Sequence, residues 1–102
     1  MTFKELEFIP HELGEGVWAS TFFPNGFGAS VICCPISYGW PSRYEVAVMR
    51  GSGVGRCKID TTTHLTDDVL GHLTPDGVTD MLQQIAALPS LPDDERLGDD
   101  AH

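Results

Sequence analysis

VWASTFFPNGFGASVICC, residues 17–34, decides the fold. Its two arms, residues 17–23 and 27–34, are rich in aromatic and β-branched side chains, which favour extended chain. Between them stands Pro24-Asn25-Gly26. Asn-Gly supplies two residues that tolerate positive φ, as a tight reversal between antiparallel strands requires. The segment therefore reads as a β-hairpin. Small residues in both arms (Ala19, Ser20, Gly28, Ala29, Ser30) imply that another layer packs closely against it. Trp18, on the first arm, is expected in the core.

Downstream, PISYGWPSR (residues 35–43) has the proline and glycine content of a loop. YEVAVM (44–49) and VGRCKID (54–60) follow, joined by Arg50-Gly51-Ser52-Gly53. Tyr44, Val46 and Val48 alternate with Glu45, Ala47 and Met49, and Cys57 and Ile59 alternate with Arg56, Lys58 and Asp60. The pattern predicts a second hairpin, half-buried on one side. Residues 66–71 (TDDVLG) then read as one helical turn, with a cap candidate, acids in the first turn and a stopping glycine. Thr74-Pro75-Asp76 opens a full helix with a cap, proline at the first position and an acid next. Val78, Met81, Leu82, Ile85 and Leu88 fall on one stripe, opposite Asp76, Asp80, Gln83 and Gln84. Pro89 ends this helix, predicted over 75–88, which alone can cover the apolar side of the sheet. Upstream, residues 2–13 suit a short edge strand or an irregular lead-in, because Pro10 interrupts any helix. The expected fold is α+β: a four-stranded antiparallel meander of two hairpins with one C-terminal helix packed on one face. Residues 1–89 form the domain and 90–102 an acidic, disordered tail.

At 102 residues and 41% apolar content, the chain has the size of one domain. Such a domain buries roughly 65% of its unfolded surface, enough for a two-layer core without metal or disulfides. The net charge is −9, of which −4 falls in residues 90–102. Nucleic-acid backbones are bound by clustered Lys and Arg, and no basic cluster exists, so direct DNA or RNA binding is excluded as an expectation. The three cysteines, Cys33, Cys34 and Cys57, make a poor disulfide framework. Met1 to Phe8 has no signal-peptide character, and no run approaches a membrane span of about 20 apolar residues. These features suit a reduced, cytoplasmic protein.

Three motif blocks occur in order: Asn25-Gly26-Phe27-Gly28-Ala29-Ser30-Val31, then Tyr44-Glu45-Val46-Ala47-Val48, then Thr66-Asp67-Asp68-Val69-Leu70-Gly71-His72-Leu73, with Val78 and Ile85 beyond. This order resembles a group of short phage and prophage proteins, and the likeness spans roughly residues 17–88. The Trp40 loop, the glycine-rich stretch 50–55 and the acidic tail depart from it. The resemblance implies a viral or prophage origin and a compact accessory protein. The group has no assigned chemistry, so it transfers no active site.

Several constellations invite a functional reading. Tyr38, Trp40, Pro41 and Arg43 put the residue types of interface hot spots on one long loop, although Trp40 has the alternative of tucking under the sheet edge. Cys33, Cys34, Cys57 and His64 lack zinc-ligand spacing and read as core thiols, with no metal or other cofactor expected. His64 with Asp67 and Asp68 is the sole acid–base cluster, and its simpler reading is a capped helical turn. Gly51-Ser52-Gly53-Val54-Gly55 imitates a phosphate loop but precedes a strand rather than a helix, so a hairpin turn is the reading. The acidic tail suits solvent, a basic partner or, less readily, mimicry of DNA phosphate. The expected function is binding of a host or phage protein, without catalysis, in a chain that also suits a homodimer. One alternative is a nucleotide-signal binder whose pocket between subunits uses Arg43, Arg50 or Arg56 beside His64, Asp67 and Asp68. The other is a small hydrolase using His64 and Asp67 or Asp68.

Overall fold

The alternating pattern around Asn25-Gly26 builds a sheet wider than two hairpins. The computed structural model describes residues 1–12, 14–53, 55–60, 63, 65 and 69–92. A 3-10 turn at Phe3–Glu5 leads into β1 (Ile9–Pro10), β2 (Val17–Phe22), β3 (Phe27–Cys33), β4 (Tyr44–Gly53), β5 (Arg56–Ile59), β6 (Leu70–Leu73) and α1 (Pro75–Ala86). The strands form one antiparallel sheet in the order β1-β2-β3-β4-β5, and β6 also pairs with β4. The fold is α+β with an antiparallel sheet and one C-terminal helix, but among the described residues the sheet has six strands instead of four.

The two extra strands have distinct origins. β1 is the edge piece of the lead-in, pairing Ile9 with Trp18 and Pro10 with Val17. It stays short because proline has no N–H to continue the ladder. β6 replaces part of the helical turn expected at 66–71: Leu70 and Gly71 are extended, and Val46 and Tyr44 pair with Leu70 and Leu73. Residues 66–68 of that expectation lie outside the described residues. β5 and β6 run in the same direction along one edge of β4. Met49 faces Ile59, the Asp60 N–H donates to the Val48 carbonyl, and the chain rejoins β4 at Leu70. They amount to one edge strand, left after Asp60 and resumed at Leu70. Pairing with a long neighbour outweighs the local capping signal.

The expected turn at 50–53 moves as well. Gly51 and Gly53 belong to β4, and a register shift lies between them. Gly51 serves close approach instead of reversal: a Cβ there would collide with the Arg56 carbonyl and the Cys57 side chain. Its N–H donates to the Gly26 carbonyl at 3.0 Å.

The core lies between α1 and one sheet face. Thr74 caps the helix as its sequence predicts, its Oγ1 accepting the Gly77 N–H at 3.1 Å with Pro75 in the first turn. Val78, Met81, Leu82 and Ile85 descend onto Phe27, Ala29 and Val31 of β3 and Val46 and Val48 of β4, and all are buried. The lead-in closes one end. The Phe3 N–H donates to Thr79 Oγ1 at 2.9 Å, and Phe3 and Phe8 pack on Tyr44 with ring centroids 5.0 and 5.7 Å away.

The C-terminus of α1 is held by the hairpin turn. Asn25 is buried, and its Nδ2 donates to the carbonyls of Ile85 (2.9 Å), Leu88 (3.0 Å) and Ala86 (3.3 Å). Its Oδ1 accepts the Phe27 N–H at 3.0 Å, and its carbonyl accepts the Leu91 N–H at 2.9 Å. Of the Asn-Gly pair only Gly26 takes positive φ, so Asn25 is selected by its side chain and not by its backbone. The helix ends at Ala86, two residues before the sequence pattern does, and Leu88 remains buried beyond it. Leu91 packs against the core, while residues 93–102 lie outside the described residues. Trp18 is not in the core. With Ser20 and Phe22 it faces away from α1, half-buried.

Replacing Asn25 with Ala should cost about 2–4 kcal/mol, since the buried carbonyls of Ile85 and Leu88 and the buried Phe27 N–H each lose a bond together. Calorimetry should then show a fall in Tm of at least roughly 10 °C for a domain of this size. Asn25→Asp keeps the acceptor but turns a carboxylate toward the helix carbonyls, and should be no more stable than Asn25→Ala at neutral pH. A Tm within about 2 °C of wild type for both would remove the cap from the account of stability.

Candidate functional site

The loop between β3 and β4 projects apolar side chains from a backbone that is tied down. At its start Ser37 Oγ accepts the Cys34 N–H and donates to the Cys34 carbonyl, both at 2.9 Å, while the Ser37 N–H reaches the same carbonyl. In the middle the Tyr38 N–H donates to Glu45 Oε1 at 3.1 Å, and the Tyr38 carbonyl accepts from the His72 N–H at 3.3 Å. At the end the Arg43 and Ser42 N–H groups both donate to the Gly39 carbonyl. The Trp40-Pro41 peptide bond is cis. Gly71 of β6 makes the contact possible, since a Cβ there would occupy the place of the Tyr38 Cβ.

From this frame Ile36, Tyr38 and Trp40 stand 76%, 61% and 37% exposed. Pro41 and Arg43 are exposed beside them, so the loop displays all four of the interface candidates read from the sequence. Sequence reading missed three neighbours. Ile36 is the most exposed of the large apolar residues here, and its alternation with Tyr38 and Trp40 was the available signal. Glu45 braces the loop from β4. His72, at φ 59°, is the one described non-glycine residue in left-handed conformation, and its ring lies 6.5 Å from that of Tyr38. That conformation carries strain of order 1 kcal/mol and is found where surrounding structure imposes it. Here the cause is the irregular register between Tyr44 and Val46 against β6.

The arginines proposed as ligands do not converge. Arg43 precedes β4 and Arg56 pairs with Gly53 at its far end, roughly 30 Å away along an extended strand. Arg50 is occupied by the core edge: its Nε lies 2.8 Å from Oδ2 of the buried Asp60, and its guanidinium sits over the Phe27 ring. His64, Asp67 and Asp68 lie outside the described residues. Cys33 and Cys34 are buried free thiols, and Cys57 is half-buried on the sheet face away from α1. Burial, then the neighbouring Cys34, pushes the Cys33 thiol above its ordinary range, and its Sγ lies 3.5 Å from the Pro41 carbonyl. Among the described residues no three His, Cys, Asp or Glu side chains gather as metal ligands, and no helix is long and apolar enough to cross a membrane. A depression of about 310 Å³ lies between the lead-in and the start of α1, lined by Thr2, Phe3, Lys4, Pro75, Asp76 and Thr79. It contains none of the candidate site residues read from the sequence.

The Arg50–Asp60 pair is therefore expected to act in stability. Arg50→Ala takes a guanidinium away from a buried carboxylate and should cost about 2–4 kcal/mol in chemical denaturation. Asp60→Asn should cost less, because a neutral amide remains able to bond. Equal, near-zero losses would place the pair among ordinary surface ion pairs.

No protein-family model matches the chain, and no curated protein or solved structure matches it either.

Proposed function

We propose that the protein works by binding another protein through the loop of residues 34–43, and that it catalyses no reaction. One observation carries this reading: Ile36, Tyr38 and Trp40 are held out to solvent on a backbone bonded at its start, middle and end. Exposed aromatic residues dominate the energetics of protein contacts. Holding them in place beforehand lowers the entropy lost on association. Arg43 at the loop's end adds a charge that steers and orients a partner. The dispersal of Arg43, Arg50 and Arg56 leaves the nucleotide-binding alternative with less support. The order of the motif blocks supports a phage or prophage setting, in which the partner is a host or viral protein and the chain an accessory factor of the host-cell cytoplasm.

The test is affinity capture from host cells expressing the tagged protein, run in parallel with Trp40→Ala and Tyr38→Ala. Each substitution should weaken capture of the same partner by at least about tenfold, a loss typical of hot-spot truncation. Circular dichroism and Tm should stay unchanged, because neither side chain is part of the core. Undiminished capture by the double variant would remove the loop as the contact surface.

A further inference from the structure

The sheet face turned away from α1 has no covering layer among the described residues, and its relief and charge are unusual for this chain. The registers arrange its side chains in three rows across the strands. Ile9, Trp18 and Ile32 line up in the first row, with Glu45 at its end. Ser20, Ser30 and Ala47 make the second. Phe22, Met49 and Ile59 make the third, with the Phe22 ring lying over Gly28. Two apolar ridges thus flank a trough floored by small residues. Ile9 and Ile59, at opposite corners, are 48% and 51% exposed.

Charge sets this face apart. The chain carries −9, and the outer side of α1 (Asp76, Asp80) and the lead-in (Glu5, Glu7, Glu12) present exposed carboxylates. In the three rows the single charged residue is Glu45, and its Oε1 already accepts the Tyr38 N–H. Two copies of an acidic protein repel each other least across such a surface.

We propose that the face is the contact between two copies of this chain, related by a two-fold axis, with a ridge of each copy seated in the trough of the other. A self-complementary surface is what an isologous dimer needs. Sheets packed face to face lie about 10 Å apart with strands inclined by about 30°, and side chains from both sides interdigitate in the gap. The area suits a modest affinity. Five strands at about 4.8 Å and some 20 Å of strand length give roughly 500 Å² of plane per copy. Two such faces, with side-chain relief, reach the lower end of specific interfaces, near 1,200 Å² in total. The contact meets the 34–43 loop only through Glu45, and it stands or falls independently of the partner-binding reading.

Sedimentation equilibrium of the full chain from about 1 μM to 1 mM tests it, a span of the affinities such areas give. The expected result is a reversible rise to twice the 11.1 kDa chain mass. Added salt should strengthen association, since it screens repulsion between like-charged copies. Ile59→Asp and Ser30→Asp place a charge on a ridge and in the trough, and should shift the dimerisation midpoint upward by at least about tenfold. Ile59 is the primary site because its side chain is already half out of the sheet, so the monomer should keep its circular dichroism spectrum. Trp40→Ala should dimerise as wild type does, which separates this surface from the loop. A wild-type chain that stays monomeric at 1 mM overturns the proposal, as does a dimer indifferent to both aspartates. Loss of the captured partner in the face variants of a monomeric chain would assign the face to that partner and equally overturn it.

Discussion

The amide of Asn25 joins the two halves of the molecule. A helix of 12 residues is marginal by itself, and its last carbonyls need partners wherever they are buried. A side chain from a turn 60 residues earlier in the chain supplies them, while the same side chain fixes the turn through Phe27. Position and closure are therefore set together. The hairpin cannot shift register without releasing the helix end, and α1 cannot slide along the sheet without leaving carbonyls unpaired. Gly51, bonded to Gly26, extends the same anchoring to β4.

With α1 held there, the division of side chains between the two sheet faces follows. Ala19, Ala29, Val31, Val46 and Val48 face the helix, and their small or branched side chains let it approach closely. The larger residues, Trp18, Phe22, Ile32 and Met49, fall on the other side. Both faces alternate correctly, so alternation alone does not say which one is covered. Bulk misleads here: the expectation that Trp18 is buried beneath α1 fails because a side chain of that size would push the helix away. The cue was the pair of alanines, Ala19 and Ala29, at helix-facing positions.

What could be read in advance follows the range of the interactions involved. The hairpin of residues 17–34 and the Thr74-Pro75-Asp76 helix start are decided by neighbours a few residues apart, and both were legible. β6 depends on Tyr44 and Val46, more than 20 residues away, and its sequence carries a local helical signal that tertiary pairing overrides. Gly51 marked a special backbone position correctly, but glycine serves tight turns and close strand approach alike. The loop candidates Tyr38, Trp40, Pro41 and Arg43 were legible as residue types. Their bracing by Ser37, Glu45 and His72 was not, because it rests on contacts from two other strands. The pairing of Arg50 with Asp60 was hidden for a similar reason. Asp60 lies just past the end of β5, and only the register shows the two side by side.

The interrupted edge along β4 has an evolutionary reading. The chain meets β4 beside Val48 at Asp60 and again beside Val46 at Leu70, so two points ten residues apart in sequence are fixed by strand pairing. Closing such a segment costs little more when it lengthens, about 0.6 kcal/mol for each doubling. Leu65, between those two points, packs against the core, so descendants of this chain that gain or lose residues there must keep that one contact.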